Sequence, residues 1–356
     1  MVRSAVWALV LSSAVAHRAP QLPRCLSRVA APAVGALRTC SRAGPRMATP
    51  FEAMSMSTDE LIAVFNDPAE MSEWSELDWY RVYQAAQRRA ALPGFGTISG
   101  LRPTDVDVPE LERRTGLSLE ALTPRDSGVQ WLLLGMAFFS VELLLARTLG
   151  LESSLVRTLP SIVAVFGFDQ LVLGSRLTLG LVLALRPQYG DKLARHEAGH
   201  FLLAYLCGLP VTGYYLAGRS MTIGQAGTIF LDLDLSEQLN RGELRQSTLA
   251  RYTTILMAGI AAEAIAYDRA EGGFADEQQL VSILQSLRPA WEGDRVFSLA
   301  RWSVAQSVEL LREYEEEHVA LKEKMRENAP LGECIRVIAQ GAARRKIKES
   351  AASSAS

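Results

Sequence analysis

Histidine and cysteine are both scarce in this chain of 356 residues, with four of each. Cys25, Cys40, Cys207 and Cys334 form no C-x-x-C pair. That excludes a cysteine-rich zinc site and offers no disulfide framework, so the four read as ordinary thiols. No G-x-x-x-x-G-K-[ST] run occurs, so the chain carries no phosphate-cradling loop of that type. The formal net charge is only −2. Nothing in that balance draws the chain to nucleic acid. Acid is absent from residues 1–51, which hold seven arginines, and removing that stretch leaves a net charge of −9.

The lopsided amino end reads as an address rather than as structure. A short basic start precedes the apolar stretch 5–16, which has the length of a signal-peptide core and is too short to span a bilayer. Residues 17–50 are rich in Arg, Ala and Ser and lack acid, as transit peptides do. Signal-like followed by transit-like resembles the bipartite presequence of algal plastids with extra envelope membranes. The expected location is a plastid membrane, thylakoid or inner envelope, with a mitochondrial or secretory membrane as the alternative.

Five segments follow from composition: a presequence over 1–50, a small helical soluble region over 51–126, membrane-associated apolar helices over 127–186, a main domain over 187–341, and a disordered basic and Ser-rich tail over 342–356. In the second, Ser57-Thr58-Asp59-Glu60 supplies capping residues and Leu61, Val64 and Phe65 follow at helical spacing. It reads as an accessory domain or arm without chemistry. In the third, 128–145 carries Glu142 as its only charge, and 158–185 is longer but contains Asp169 and Arg176. The two form a transmembrane hairpin, or one tilted span with a helix lying on the membrane, or a pair of buried core helices. Membrane attachment is the expectation.

Within the main domain, 187–191 reads as a polar break, and a helix runs from about Lys192 to a stop at Gly208-Leu209-Pro210. Residues 211–235 read as two or three short strands. Residues 247–267 form a long apolar helix, and 297–327 an amphipathic one whose charge run is a solvated face. The fold class is mainly α with a small β element, preceded by one or two apolar helices.

Half of the scarce histidines lie in the run His196-Glu197-Ala198-Gly199-His200. On a helix, positions i and i+4 share a face, so both imidazoles can reach a single Zn2+. The intervening Glu197 is placed to act as general base on a metal-activated water. A catalytic zinc needs a third protein ligand and an open position. His17 lies in the presequence and His318 in the charged helix, which leaves a carboxylate. The candidate stretch is Gly272-Gly273-Phe274-Ala275-Asp276, after the apolar run Met257-Ala258-Gly259-Ile260-Ala261-Ala262-Glu263.

These motifs resemble those of the FtsH-type zinc peptidases, which carry H-E-A-G-H, then an A-G-x-A-A-E helix, then a Gly-rich loop leading to an aspartate that completes the zinc site. His196, Glu197 and His200 match the first motif; Ala258, Gly259, Ala261, Ala262 and Glu263 match the second; Asp276 matches the ligand position. The resemblance covers residues 192–339 and is to the plastid group that keeps the peptidase part alone. It implies a helical zinc-peptidase domain, with His196, His200 and Asp276 as metal ligands and Glu197 as the catalytic residue. Glu263 is then an acid that packs the helix or supports a ligand from behind. The implied activity is membrane-associated endoproteolysis of a protein or peptide substrate. The missing ATPase departs from the family pattern and puts processive degradation in doubt unless a partner ATPase helps; a homo-oligomer stays open.

Two rival readings remain. A site-2-type intramembrane metalloprotease takes its third ligand from an L-D-G setting, and Leu231-Asp232-Leu233 is the nearest match, without the glycine. A catalytically silent scaffold or assembly factor in a plastid membrane complex is the second.

Overall fold

The computed structural model describes residues 49–69, 71–124, 187–216, 226–287, 289–291 and 293–355. The expected presequence up to residue 48, and the apolar stretches expected within 127–186, lie outside the described residues.

Capping chemistry sets the first helices. Thr49 and Glu52 bond each other's backbone at the head of α1 (Pro50–Ala53), where Pro50 occupies a position that needs no N–H. Glu60 accepts from the Ser57 N–H at 2.7 Å at the start of α2 (Thr58–Phe65). Ser75 and Asp78 repeat the reciprocal box on α3 (Glu76–Arg88). Asp107 caps α4 (Val108–Thr115).

The motif helix, α5 (Pro187–Leu206), comes next. It starts at Pro187, so the polar break expected at 187–191 is its first turn, which tolerates proline. An antiparallel hairpin follows, β1 (Val211–Tyr215) and β2 (Gly227–Phe230), with Tyr214 opposite Thr228. The strands expected out to 235 stop early, because Asp232 accepts the Leu235 N–H at 3.0 Å and opens α6 (Leu233–Arg241). Then come α7 (Gln246–Leu256), α8 (Ala258–Tyr267), α9 (Phe274–Ser286), α10 (Asp294–Glu313), α11 (Glu315–Arg326) and α12 (Leu331–Ala355). The architecture is mainly α with one small two-stranded sheet. Helix α5 is its axis, packed by α7, α8, α10, α11 and the hairpin.

The α7–α8 segment, Gln246–Tyr267, is long and apolar enough to cross a membrane, yet 83% of its apolar window is buried inside the protein. It is core. Alanines dominate α8, and Ala258, Ala261, Ala262 and Ala264 are fully buried. Small side chains of this kind let two helix backbones approach closely, here α8 and α5.

The region expected as an accessory domain or arm shares this core. A run of aromatic rings links them: Phe65 to Tyr83 (5.4 Å between centroids), Tyr83 to Phe95 (4.9 Å), and Phe95 to Tyr205 of α5 (5.3 Å). The Tyr83 hydroxyl donates to the Val211 carbonyl, and the Tyr205 hydroxyl to the Pro93 carbonyl. Each fully buried ring stabilises the fold by roughly 2–3 kcal/mol over an exposed one. The 93–98 loop also finishes the motif helix. Gly96 N–H donates to the Tyr205 carbonyl and Ile98 N–H to that of Leu206, satisfying groups a helix end leaves open. An amphipathic pattern shows that these helices bury a face but not against what, which is why they read as separate.

The tail expected to be disordered is instead helical to Ala355. Its Ala, Arg, Lys and Glu are good helix formers, and no proline interrupts them. Arg345 anchors it, lying over the Tyr314 ring and pairing at 3.1 Å with Glu317. Glu317 and His318 are buried, so the charge run on α11 is not wholly a solvated face.

Candidate metal centre

Helical spacing brings His196 and His200 onto one face of α5, their ring centroids 4.8 Å apart. Asp276 enters from the first turn of α9, directly after Gly272-Gly273. Its Oδ2 lies 3.1 Å from His196 Nε2 and 3.6 Å from His200 Nε2. One donor atom from each residue falls within 4.8 Å of the others, and this is the only such group among the described residues.

The far side of each ring is already committed. His200 Nδ1 is 2.8 Å from the Ile255 carbonyl. A carbonyl only accepts, so that nitrogen carries a proton and Nε2 is left with its lone pair. His196 Nδ1 donates to Glu263 Oε1 at 2.8 Å. Glu263 is itself held by the Glu271 and Gly272 N–H groups, which donate to its Oε2 at 2.8 and 3.0 Å. Burial pushes this carboxyl up, but the His196 hydrogen bond and charge, with the two backbone donors, bring it below the ordinary range.

Two lone pairs therefore face a carboxylate in a largely dry site. Acceptor against acceptor is unfavourable, and the arrangement asks for positive charge between them, a proton or a metal ion. Titration follows the same logic. Burial pushes His196 down, yet its hydrogen bonds to Asp276 and Glu263 hold it well above the usual range. His200 is raised too, against burial, by the Asp276 charge. Asp276 is lowered, because the His200 charge and the His196 hydrogen bond outweigh burial. Two imidazole nitrogens and one carboxylate oxygen match the three-ligand set of a catalytic zinc, and the chemistry of the donors fits that ion.

Close packing explains two glycines of the sequence pattern. A Cβ on Gly259 would lie 2.2 Å from His196 Nε2, and one on Gly272 would lie 2.6 Å from Glu263 Oε1. Any side chain at either position displaces the cluster.

Glu197 is buried beside the pair and meets the hairpin. Thr228 Oγ1 of β2 lies 3.1 Å from Glu197 Oε2 and 3.1 Å from the Glu197 carbonyl. Across the site, Gln279 of α9 donates to the Tyr252 hydroxyl of α7. Next to Asp276, Glu277 is pushed up to about 8 by burial and by the Asp276 charge.

The structure thus brings together His196, His200, Asp276, Glu197 and Glu263. It does not bring in Asp232, which caps α6 and receives both hydrogen bonds of Arg251 at 2.8 and 2.9 Å. Nor does it bring in His318, whose Nε2 donates to the Arg195 carbonyl at 3.0 Å. Sequence reading missed Ile255, Thr228 and Tyr252. Ile255 acts through its backbone, so no residue type marks it, and Thr228 is one threonine in a strand with no motif around it.

Compared with protein-family models, with curated proteins and with solved structures, the chain matches none.

Proposed function

We propose that this chain is a zinc-dependent endopeptidase of the FtsH-like type, without its own ATPase, that works at a plastid membrane on unfolded protein or peptide. The observation that supports it best is the convergence of His196 Nε2, His200 Nε2 and Asp276 Oδ2 while both Nδ1 atoms are already bonded. Three such atoms converging in a buried site call for a cation among them, and a metal ion meets that need as a proton does.

In this reading His196, His200 and Asp276 hold Zn2+. When bound, the ion lowers the pKa of water and polarises the scissile carbonyl. Glu197 takes the proton from the attacking water and delivers it to the leaving amine, so one water is consumed and one peptide bond broken. Glu263 keeps His196 in the tautomer that presents Nε2 and fixes the ring plane. The site-2 alternative fits less well, because its candidate ligand Asp232 is occupied by Arg251.

Elemental analysis of the full chain and of Asp276→Ala tests the metal. Stoichiometric zinc in the first and none in the second is expected; no zinc in the folded wild-type protein overturns the reading in favour of a silent scaffold. Turnover of an unfolded protein tests the chemistry, and Glu197→Gln is expected to keep zinc while losing at least about a hundredfold in rate. Wild-type rates from Glu197→Gln would remove that residue from its role.

A further inference from the structure

The geometry points to Thr228 as the positioning residue for Glu197, a role that rests on the peptidase reading above. Glu197 sits on α5 and has no carboxylate partner on its own helix; its hydrogen bond comes from β2, 31 residues away in sequence. Strand alternation aims Thr228 at the helix while its neighbour Ile229 faces outward, 42% exposed. The hydroxyl reaches two atoms of one residue, the carboxylate Oε2 and the main-chain carbonyl, both at 3.1 Å. It has a single proton to give, and a carboxylate is the stronger acceptor of the two. Holding the tip of the side chain from a second element restricts the rotamers open to it. The strand is anchored in turn: Thr228 pairs with Tyr214 of β1, whose hydroxyl donates to the Ala329 carbonyl just before α12.

A base whose carboxylate wanders loses rate rather than affinity, because substrate is held elsewhere. A clamp that merely ties the hairpin to α5 would affect stability alone. Valine keeps the shape of threonine and removes the hydroxyl, and serine keeps the hydroxyl and removes the methyl.

The test uses the full chain loaded with zinc, with an unfolded protein as substrate. Thr228→Val is expected to retain zinc and a KM within about twofold of wild type, while kcat falls about tenfold or more. Thr228→Ser is expected to return kcat to within about twofold, and a crystal structure of the valine variant to show the Glu197 carboxylate displaced. If valine prevents folding, Thr228→Ala, which leaves room instead of a methyl, serves the same comparison. An undisplaced carboxylate, or an unchanged kcat, overturns the inference. If wild-type protein binds zinc but cuts nothing, the peptidase reading falls, and the position of the Glu197 carboxylate in the variant still decides the role of Thr228.

Discussion

Two kinds of buried histidine pack on the same helix, and their proton affinities diverge. His318 comes from α11 and donates to the Arg195 carbonyl, one residue before His196. Burial pushes it down to about 4, with Arg195 and Lys322 adding to the push. His196 and His200 are as deeply placed, yet both are raised. Burial is common to all three, so it cannot be what distinguishes them. The difference is the acid they face: Asp276 and Glu263 for the pair, and for His318 a carbonyl and two cations. A buried histidine with no acid sheds its charge and becomes structure. A buried pair sharing an acid is poised for a cation.

Removing the acid breaks this contrast most severely. Asp276→Ala is expected to abolish zinc binding and turnover together, and to leave His200 in the low-affinity condition of His318, measurable as the imidazole titration in the metal-free protein by NMR. Removing the acid behind His196 has a smaller effect. Glu263→Gln keeps an acceptor but not the charge, and zinc affinity is expected to fall about 10–100-fold, read by competition with a chromogenic chelator.

The smallest effect concerns His318 and acid stability. The unfolded imidazole takes a proton below its ordinary value of 6.5, whereas the folded one resists until about 4. Between those values the unfolded state binds more protons, so stability is full above 6.5 and is lost as pH falls toward 4. The ceiling on that loss is about 3 kcal/mol. His318→Gln removes the titration, so denaturant melts at pH 7 and pH 5 are expected to show wild type losing more stability than the variant. Equal losses would show that His318 does not drive the acid sensitivity.

Legibility in the sequence followed the range of the interactions. His196, Glu197 and His200 depend on one helical turn, and their spacing is written in the chain. Asp276 lies 76 residues beyond His200, and only the resemblance pointed to it. Glu263 was visible as an acid within an apolar helix, but its bond to His196 was not. Ile255 and Thr228 act through a carbonyl and a cross-element hydroxyl, neither of which leaves a local pattern. The same limit explains the fold. Caps at Ser57 and the stop at Gly208 were readable, whereas the partner of the α2–α3 face and the Arg345 anchor of the tail are tertiary facts.

The helix that carries the motif is finished by residues that precede it in the chain, and the region supplying them is locked to the far end. Asn66 exchanges hydrogen bonds with Glu333 across 267 residues of sequence. Contacts of such separation are slow to form, because the loop they close must be ordered first. The consequence is one of timing. A ribosome releases α5 with its histidines well before it releases α12, so this surface of the core closes only after α12 has emerged. The order of synthesis thereby leaves the face of α2 bare until α12 arrives to cover it.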